Sequence, residues 1–422
     1  MMPVTFSDFA RGVNVETAFS VLAVAKRLKL SGKRVIELEI GDSPFASTAS
    51  AKAAGMDAIR DDRSHYCPSV GLPELREAAS RYVNREHGLA TAAENIVVGP
   101  GAKPFELLFC EAFLNAGDGV LVFSPYFPTY LPNIARRGAR ACLSDLKQER
   151  EFRPNLDDVE RFLAADARPK AIFLNSPHNP TGGVARREDL QALADLIRGR
   201  DVVVFSDEPY DQMVWRGRHE TLLSQSGMLD HCVAAYTFSK SYSMSGWRVG
   251  FAVASPAVVD LFATLLNTSL SCVAPLAQLA AAAALDHDDA ERNETMHQFR
   301  LKVERMAAGL NRIEGVRCLD PNATFYLFPS VARVCNRLGI TSHGLAMYLL
   351  EAADDGLGVA CLGGESFGAA GGGFIRFSCA EPDALLDEAL AFLPAAFARG
   401  DRVATYLRAR PEYRLAQPYG EA

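Results

Sequence analysis

The amino-acid sequence predicts an α/β fold, in which a mostly parallel sheet is sandwiched by helices and a smaller α+β domain is attached. Between residues 95 and 235, short apolar runs alternate with stretches of helical spacing, which is the pattern of successive β-α-β units. The runs are apolar throughout, as expected of strands that are buried on both faces. The chain has 422 residues, which is long for one core and favours two domains.

The strands of the large sheet are predicted from apolar runs that end in polar turns. In such sheets ligands bind beyond the carboxyl ends of the strands, so the polar residues directly after each run are candidates for a functional site. The predicted strands cover residues 96–98, 119–123, 139–143, 171–174, 202–205 and 232–235, with helices over 102–114, 155–164 and 186–198 between them.

The first ninety residues have a different pattern. A helix is predicted over 17–31, and it ends at Gly32 because glycine commonly stops a helix. A strand over 35–40 follows, and then helices over 48–61 and 73–87.

The last part of the chain also differs from the predicted sheet. After Gly250 the sequence is largely helical as far as residue 315, and short strands then accompany helices over 343–353 and 382–396. We therefore expect an N-terminal segment packed on the small domain (1–45), a large domain (46–290), a small C-terminal domain (291–396) with a linking helix (288–315), and a polar tail (397–422).

The composition is that of a soluble globular enzyme and argues against several other classes. The net charge is −7 and no run of basic residues occurs, so nucleic acid is not an expected partner. The nine cysteines are scattered without C-x-x-C pairs, which favours a reducing cytoplasm over a metal site or a disulfide framework. No basic-then-apolar signal opens the chain, and the apolar stretch over 272–285 is too short to cross a bilayer.

A lysine in a hydroxyl-rich turn is the strongest chemical signal. Lys240 follows the strand predicted over 232–235, and a lysine there is costly unless it stays neutral or gains a partner. A lysine held as a Schiff base meets that condition and becomes useful for catalysis. Asp207 follows another apolar run, and a buried carboxylate needs a cationic partner. Taken singly, each residue would more often be an ordinary turn residue.

Six motifs occur in one order along the chain. They are Gly101-Ala102-Lys103, Asn179-Pro180-Thr181-Gly182, Ser206-Asp207-Glu208-Pro209-Tyr210, Thr237-Phe238-Ser239-Lys240, Gly246-Trp247-Arg248-Val249-Gly250 and Phe374-Ile375-Arg376. In order and spacing they resemble the class I/II aminotransferases, which are pyridoxal-phosphate enzymes of the aspartate aminotransferase fold. Each motif is weak alone, but six together make a chance match improbable. The resemblance extends over about residues 15–395.

The resemblance implies several contacts to the ring of pyridoxal 5′-phosphate. Lys240 would hold the cofactor as a Schiff base and, once released, would move a proton during catalysis. Asp207 would pair with the protonated pyridine nitrogen, which keeps the ring an electron sink. Asn179 and Tyr210 would hydrogen-bond the phenolic oxygen, and Tyr210 is therefore counted among the catalytic residues. Phe127 would stack on the ring.

The resemblance also implies a cradle for the cofactor's phosphate. The turn Gly101-Ala102-Lys103 opens a helix, where free N–H groups attract an anion. Thr237 would add a hydroxyl and Arg248 a guanidinium. Tyr66 resembles the tyrosine that reaches the phosphate from the partner subunit, which implies a homodimer with shared active sites.

Substrate contacts follow from the same resemblance. Arg376 would clamp the α-carboxylate in a bidentate fork, the backbone at Gly41 would approach that carboxylate, and Asn179 would also contact the substrate. Lys103 has two interpretations: it meets the distal carboxylate of aspartate or glutamate, or it is a solvated helix residue. Glu365 likewise either faces the substrate side chain or is solvated.

The predicted activity is transfer of an amino group between an L-amino acid and a 2-oxo acid by a ping-pong mechanism through Lys240, with an acidic substrate such as aspartate or glutamate. The alternative is a related enzyme that uses the same cofactor for elimination, cyclisation or oxidation of an amino acid. A non-catalytic binding module of the same fold is a third hypothesis. It is disfavoured because Lys240, Asp207 and Arg376 are all present.

Overall fold

The computed structural model describes residues 4–13 and 16–420. Residues 1–3, 14–15 and 421–422, which belong to the predicted N-terminal segment and C-terminal tail, lie outside the described residues. The strands are β1 (Arg34–Glu37), β2 (Ile96–Gly99), β3 (Gly119–Ser124), β4 (Arg140–Asp145), β5 (Pro169–Asn175), β6 (Val203–Asp207), β7 (Cys232–Thr237), β8 (Gly250–Val253), β9 (Tyr326–Leu327), β10 (Leu357–Ala360), β11 (Leu362–Gly363) and β12 (Ile375–Ser378).

Helices cover both ends of the chain and the connections between strands. They are α1 (Asp8–Gly12), α2 (Thr17–Leu30), α3 (Ala49–Arg60), α4 (Pro73–His87), α5 (Lys103–Phe113), α6 (Tyr130–Arg136), α7 (Leu156–Ala165), α8 (Arg187–Ile197), α9 (Pro256–Ser269), α10 (Pro275–His287), α11 (Asp289–Leu310), α12 (Ala332–Leu338), α13 (Ser342–Glu351), α14 (Asp383–Ala398) and α15 (Gly400–Ala409). Among the described residues, none of the helices combines the length and apolar character needed to cross a membrane.

A seven-stranded sheet forms the centre of the molecule, in the order β2-β8-β7-β6-β5-β3-β4. All neighbouring pairs are parallel except those of β8, which runs antiparallel to both β2 and β7. The α/β fold class, with its mostly parallel sheet, is confirmed. The sequence pattern had not predicted β8, because the four residues from Gly250 resemble the continuation of a turn.

Both faces of this sheet are buried, as the continuous apolar runs predicted. Phe173 and Phe205 belong to one buried cluster, while their neighbours Ile172 and Val204 belong to another on the opposite face. Successive side chains of a strand point to opposite faces, so each strand contributes to both clusters. The polar residues at the strand ends therefore project from a rigid, fully packed layer.

A smaller α+β unit is built from both ends of the chain. Strand β1 pairs in parallel with β10, while β11, β12 and β9 form an antiparallel sheet. The N-terminal segment thus packs on the C-terminal part, in agreement with the predicted fold class. The domain boundaries themselves, near residues 45, 290 and 396, stay a prediction.

The segment expected to be a polar tail is folded over most of its length. Helix α15 buries Val403, Tyr406 and Leu407, and the Tyr406 hydroxyl donates to Glu351 Oε2 at 2.6 Å. These three residues have the i, i+3, i+4 spacing of one helix face. The interpretation as a tail was wrong for α15 because the average polarity of the segment hid that spacing.

Candidate active site

A cavity of about 360 Å³ opens at the carboxyl ends of the parallel strands. Its wall combines the start of α2, the end of β1, the start of α5, the ends of β6 and β7, and β12. The predicted residues that line it are Gly41, Ala102, Lys103, Phe127, Asn179, Asp207, Tyr210, Thr237, Lys240, Arg248 and Arg376.

Lys240 lies in this cavity three residues beyond the end of β7. Its Nζ donates a hydrogen bond of 2.7 Å to the carbonyl oxygen of Gly41, and it lies 5.9 Å and 5.6 Å from the ring centres of Tyr210 and Phe325. Gly41 has no room for a side chain, since a Cβ there would lie 1.7 Å from the Tyr326 hydroxyl oxygen. Glycine is therefore what lets the N-terminal segment approach the lysine.

Asp207, the last residue of β6, is a buried acid. Its Oδ2 accepts a 2.5 Å hydrogen bond from the Tyr130 hydroxyl, and burial raises its pKa to about 6. A buried carboxyl in this condition gains most from a cation placed against it. Tyr130, the first residue of α6, was not predicted as a site residue.

A second buried carboxyl, that of Glu106, lies one turn along α5 and also lines the cavity. It accepts hydrogen bonds from Thr129 Oγ1 at 2.5 Å and from Asn133 Nδ2 at 3.3 Å. Burial, followed by the charge of Asp207, raises the pKa of Glu106 well above its usual range. Two neighbouring carboxyls resist simultaneous ionisation, so a neutral Glu106 favours the ionised form of Asp207.

The predicted phosphate cradle comes together between two turns. Arg248 donates to the carbonyl oxygens of Ser245 and Pro100 at 2.8 Å and 2.9 Å. Gly101 has φ of +90°, and a Cβ there would lie 2.8 Å from Arg248 Nη2, so glycine gives the guanidinium its place. The N–H of Gly101 already donates to Gly99, which leaves Ala102 and Lys103, at the start of α5, as the amide donors that a helix terminus offers an anion.

Thr237 extends the cradle at the end of β7. Its hydroxyl donates to Ser239 Oγ at 2.9 Å and accepts from the Ser239 N–H at 3.2 Å. Both side chains line the cavity. Ser239 was not predicted as a site residue, although it belongs to the same hydroxyl-rich turn.

Arg376 on β12 is buried, and its guanidinium is held in one orientation by hydrogen bonds. Its Nη1 donates to Asn179 Oδ1 at 2.9 Å and its Nη2 donates to the carbonyl oxygen of Glu39. Its guanidinium carbon lies 4.2 Å from the ring centre of Tyr326 and 5.0 Å from that of Phe367. Such stacking and bonding preorganise the fork that a guanidinium presents to a carboxylate.

Two further groups near Arg376 were not predicted. The Glu39 carboxyl is fully buried, and neither oxygen has a hydrogen-bond partner among the described residues; burial raises its pKa to about 7. Tyr326 is also buried, which opposes its ionisation, but the charges of Lys240 and Arg376 outweigh that effect and lower its pKa. The α-carboxylate side of the cavity thus holds a buried acid with a raised pKa beside the cations of Lys240 and Arg376.

At the opposite wall, Lys103 is already paired. Its Nζ donates to Glu16 Oε1 and lies 5.2 Å from the centre of the Phe127 ring. Glu16, Ala18 and Phe19 line the cavity beside it. Glu16 was not predicted as a site residue.

Three predicted residues lie outside the cavity wall. Gly101 belongs to the turn beside Arg248 but does not line the cavity itself. Glu365 does not face a substrate: it accepts hydrogen bonds from Ser342 N at 3.1 Å, from Ser342 Oγ at 2.5 Å and from the Tyr419 hydroxyl. It therefore fastens the C-terminal segment to α13. Tyr66 is 90% exposed on the loop after α3 and does not line the cavity of its own chain.

Comparison with known proteins decides the family. A model of the family described as aminotransferase class I and II matches residues 33–393. The chain belongs to this family. It is therefore an aminotransferase, a transferase of amino groups that depends on pyridoxal 5′-phosphate.

Relatives of this aminotransferase span most of its length. An aspartate aminotransferase of Pyrococcus abyssi is 31% identical over 85% of this chain and 90% of its own. A probable aspartate/prephenate aminotransferase of Aquifex aeolicus is 33% identical over 88% of this chain and 93% of its own. The solved aspartate aminotransferase of Thermus thermophilus with maleate superimposes with a TM-score of 0.86 at 28% identity, covering 93% of this chain and all of that one.

The residues that form the cavity of this aminotransferase fit pyridoxal phosphate, independently of the family match. Asp207 is a buried acid that forms no ion pair with any described residue, which suits a protonated pyridine ring. The Lys240 amine suits an aldehyde, and the turn at Gly101 beside Arg248 suits a phosphate. When bound, pyridoxal phosphate would supply an aldehyde that takes up the amino group and a ring that withdraws the electron pair left on the substrate Cα when it loses its proton.

Proposed function

We propose that the enzyme transfers the amino group of L-aspartate or L-glutamate to 2-oxo acids, with Lys240, Asp207 and Tyr210 as its catalytic residues. The observation that carries the proposal is the convergence of Lys240, Asp207 and Arg376 on one cavity from three different strands. Each group meets a different need: an amine base, a counter-ion and a carboxylate clamp.

Lys240 Nζ is the proton carrier in this proposal. Once its amine is free, it would take the proton from the substrate Cα and deliver it to the cofactor carbon C4′. Its hydrogen bond to the Gly41 carbonyl oxygen holds the amine against the segment that approaches the substrate carboxylate. Tyr210, whose ring lies 5.9 Å from Nζ, donates its hydroxyl to the cofactor's phenolic oxygen together with the Asn179 amide.

Arg376 orients the substrate by its α-carboxylate. The guanidinium lies close to two aromatic rings and is hydrogen-bonded to Asn179, so it loses little freedom on binding. Fixing the carboxylate fixes the Cα–H bond relative to Lys240. Preference for 2-amino and 2-oxo acids follows from this one clamp.

The choice of an acidic side chain rests on the cations of the cavity. Four cationic side chains line it among the described residues: Lys103, Lys240, Arg248 and Arg376. Lys240 and Arg248 are assigned to the cofactor and Arg376 to the α-carboxylate. Lys103 therefore remains to bind a second carboxylate. The Thermus thermophilus relative has a solved structure with maleate, a dicarboxylic acid, which supports the same assignment.

A homodimer in the cytoplasm completes the proposal. Tyr66 is 90% exposed, and Met56 and Ile59 of the preceding helix α3 are exposed as well. Exposed apolar and aromatic side chains suit contact with a second copy, whose bound cofactor phosphate would receive the Tyr66 hydroxyl. Mixing Lys240→Ala and Tyr66→Phe protomers after reversible unfolding should restore one wild-type site per mixed dimer. Failure of the mixture to exceed either variant would contradict shared sites.

A half-reaction tests the chemistry. Purified holoenzyme mixed with L-aspartate alone should release one equivalent of oxaloacetate per site and no ammonia. Addition of 2-oxoglutarate should then restore the starting enzyme and release glutamate. Ammonia, or an eliminated or cyclised product, would favour the alternative chemistries.

A further inference from the structure

The cation assigned to the distal carboxylate already has a carboxylate of this chain bound to it. Lys103 begins α5, and Glu16 immediately precedes α2; the two are 87 positions apart. The Glu16 side chain is only 19% exposed and that of Lys103 45%. Both line the cavity, so the ion pair closes part of its wall.

Burial favours the neutral form of Glu106, so the negative charges that act near Lys103 are those of Glu16 and Asp207. Glu106 lies one turn further along the same helix and Asp207 lies beyond it, and the charges of both Lys103 and Glu16 act on the Glu106 carboxyl. A lysine has three N–H donors but one charge. A second carboxylate arriving at Lys103 would meet that of Glu16 at close range, and like charges there oppose each other.

The segment that carries Glu16 is part of the cavity mouth. Phe19, one turn into α2, is 52% exposed and lines the cavity, and Ala18 lies beside it. The N–H groups of Phe19 and Ser20 donate to the Glu16 carbonyl oxygen, so the backbone at Glu16 is part of the first turn of α2. Its side chain can rotate away from Lys103 without breaking that turn.

We propose that Glu16 is an internal competitor for the distal-carboxylate subsite: an acidic substrate binds Lys103 only by replacing the Glu16 carboxylate, whereas a neutral substrate leaves the pair intact. This inference rests on the proposed use of acidic substrates and adds the residue that sets their affinity relative to neutral ones. Glu16 and the substrate's distal group are the same chemical group, so the exchange conserves one ion pair. The enzyme therefore tolerates both side-chain classes with a smaller preference than Lys103 alone would give.

The test compares a dicarboxylate with a monocarboxylate. Dissociation constants of succinate and butyrate are measured calorimetrically on the holoenzyme at pH 7.5 for wild type, Glu16→Gln, Lys103→Ala and the double variant. Glu37→Gln is the matched control, because Glu37 pairs with Lys29 of α2 at 2.8 Å but lies outside the cavity. Circular dichroism checks that each variant is folded.

We expect Glu16→Gln to tighten succinate roughly fivefold, the upper range for a partly exposed ion pair, and to leave butyrate unchanged. The effect should vanish in the Lys103→Ala background and be absent in Glu37→Gln. KM for L-aspartate should fall in parallel, while KM for L-alanine stays constant.

Two results with Glu16→Gln would overturn the inference. Unchanged or weaker succinate binding in Glu16→Gln would show that Glu16 does not compete, and an equal change for butyrate would show a general effect on the cavity. If Glu16→Gln does not tighten succinate binding but Lys103→Ala removes the preference for succinate over butyrate, the acidic-substrate proposal stands without the competitor. If neither variant alters that preference, both proposals fall.

Discussion

The Tyr130 hydroxyl donates a 2.5 Å hydrogen bond to the buried carboxylate of Asp207. Tyr130 lies on α6 and Asp207 on β6, and the two residues are 77 positions apart in the sequence. Burial raises the pKa of Asp207 to about 6, and the Tyr130 donor is the strongest influence acting against that rise. The ionised form of Asp207, which the cofactor's ring requires, therefore depends on this phenol.

Replacing Tyr130 should move the pH dependence of cofactor binding. Asp207 loses its charge as the pH falls through its pKa, so affinity for pyridoxal phosphate should decline below about pH 6 in the wild type. In Tyr130→Phe the pKa rises further, and the decline should begin at higher pH. Fluorescence titration of the cofactor-free protein between pH 5 and 8 measures this; Tyr126→Phe, beside Gly368, is the control. Coincident curves for all three proteins would contradict the role of Tyr130.

Asp207→Asn should stabilise the cofactor-free protein while removing activity. The folded-state pKa of about 6 exceeds the ordinary value of 3.8, so ionisation of Asp207 costs stability increasingly from about pH 4 to pH 6 and fully above that. The amide avoids a cost on the order of 3 kcal/mol at pH 7. Urea denaturation at pH 7 and pH 4 checks this, since the gain should disappear at pH 4. A gain of the same size at both pH values would point to another cause.

Lys240→Ala should abolish transamination. Loss of the amine removes both the covalent attachment point and the proton carrier, and we expect kcat to fall roughly ten-thousandfold. Absorbance spectra and a turnover assay report the two losses separately. Turnover within a few fold of wild type would refute the central assignment.

Arg376→Lys should raise KM for every 2-amino and 2-oxo acid alike. Lysine keeps the charge but loses the fork and the stacking against Tyr326 and Phe367, a loss of about 2 kcal/mol, or roughly thirtyfold. The dissociation constant of the cofactor should stay constant. A change confined to acidic substrates would instead mean that Arg376 contacts the distal carboxylate.

The residues that the sequence predicted well are those at strand ends. Asp207 ends β6, while Asn179 and Lys240 lie four and three residues beyond the ends of β5 and β7. The carboxyl ends of parallel strands must meet at one edge of the sheet. Their position in one cavity follows from that topology. Their roles stay predictions until the variants are measured.

Other residues had no local signal. Tyr130, Glu106 and Glu16 become site residues only through hydrogen-bond partners that are distant in the sequence. Those partners are Asp207, Thr129 and Lys103 respectively. A tyrosine or glutamate in a helix is most often a core or surface residue. Strand β8 was missed because it has only four residues and directly follows the turn that ends at Gly250. Glu365 was misjudged as facing substrate or solvent because its partner, Tyr419, lies in the segment expected to be a polar tail.

The contact between Lys240 and Gly41 joins residues 199 positions apart, and that between Arg376 and Asn179 joins residues 197 apart. During synthesis on the ribosome, which proceeds from the N-terminus, Arg376 on β12 is added after every strand of the seven-stranded sheet. A nascent chain can therefore complete the large sheet before the carboxylate clamp exists. A chain truncated before β12 would lack that clamp even if the large sheet had formed.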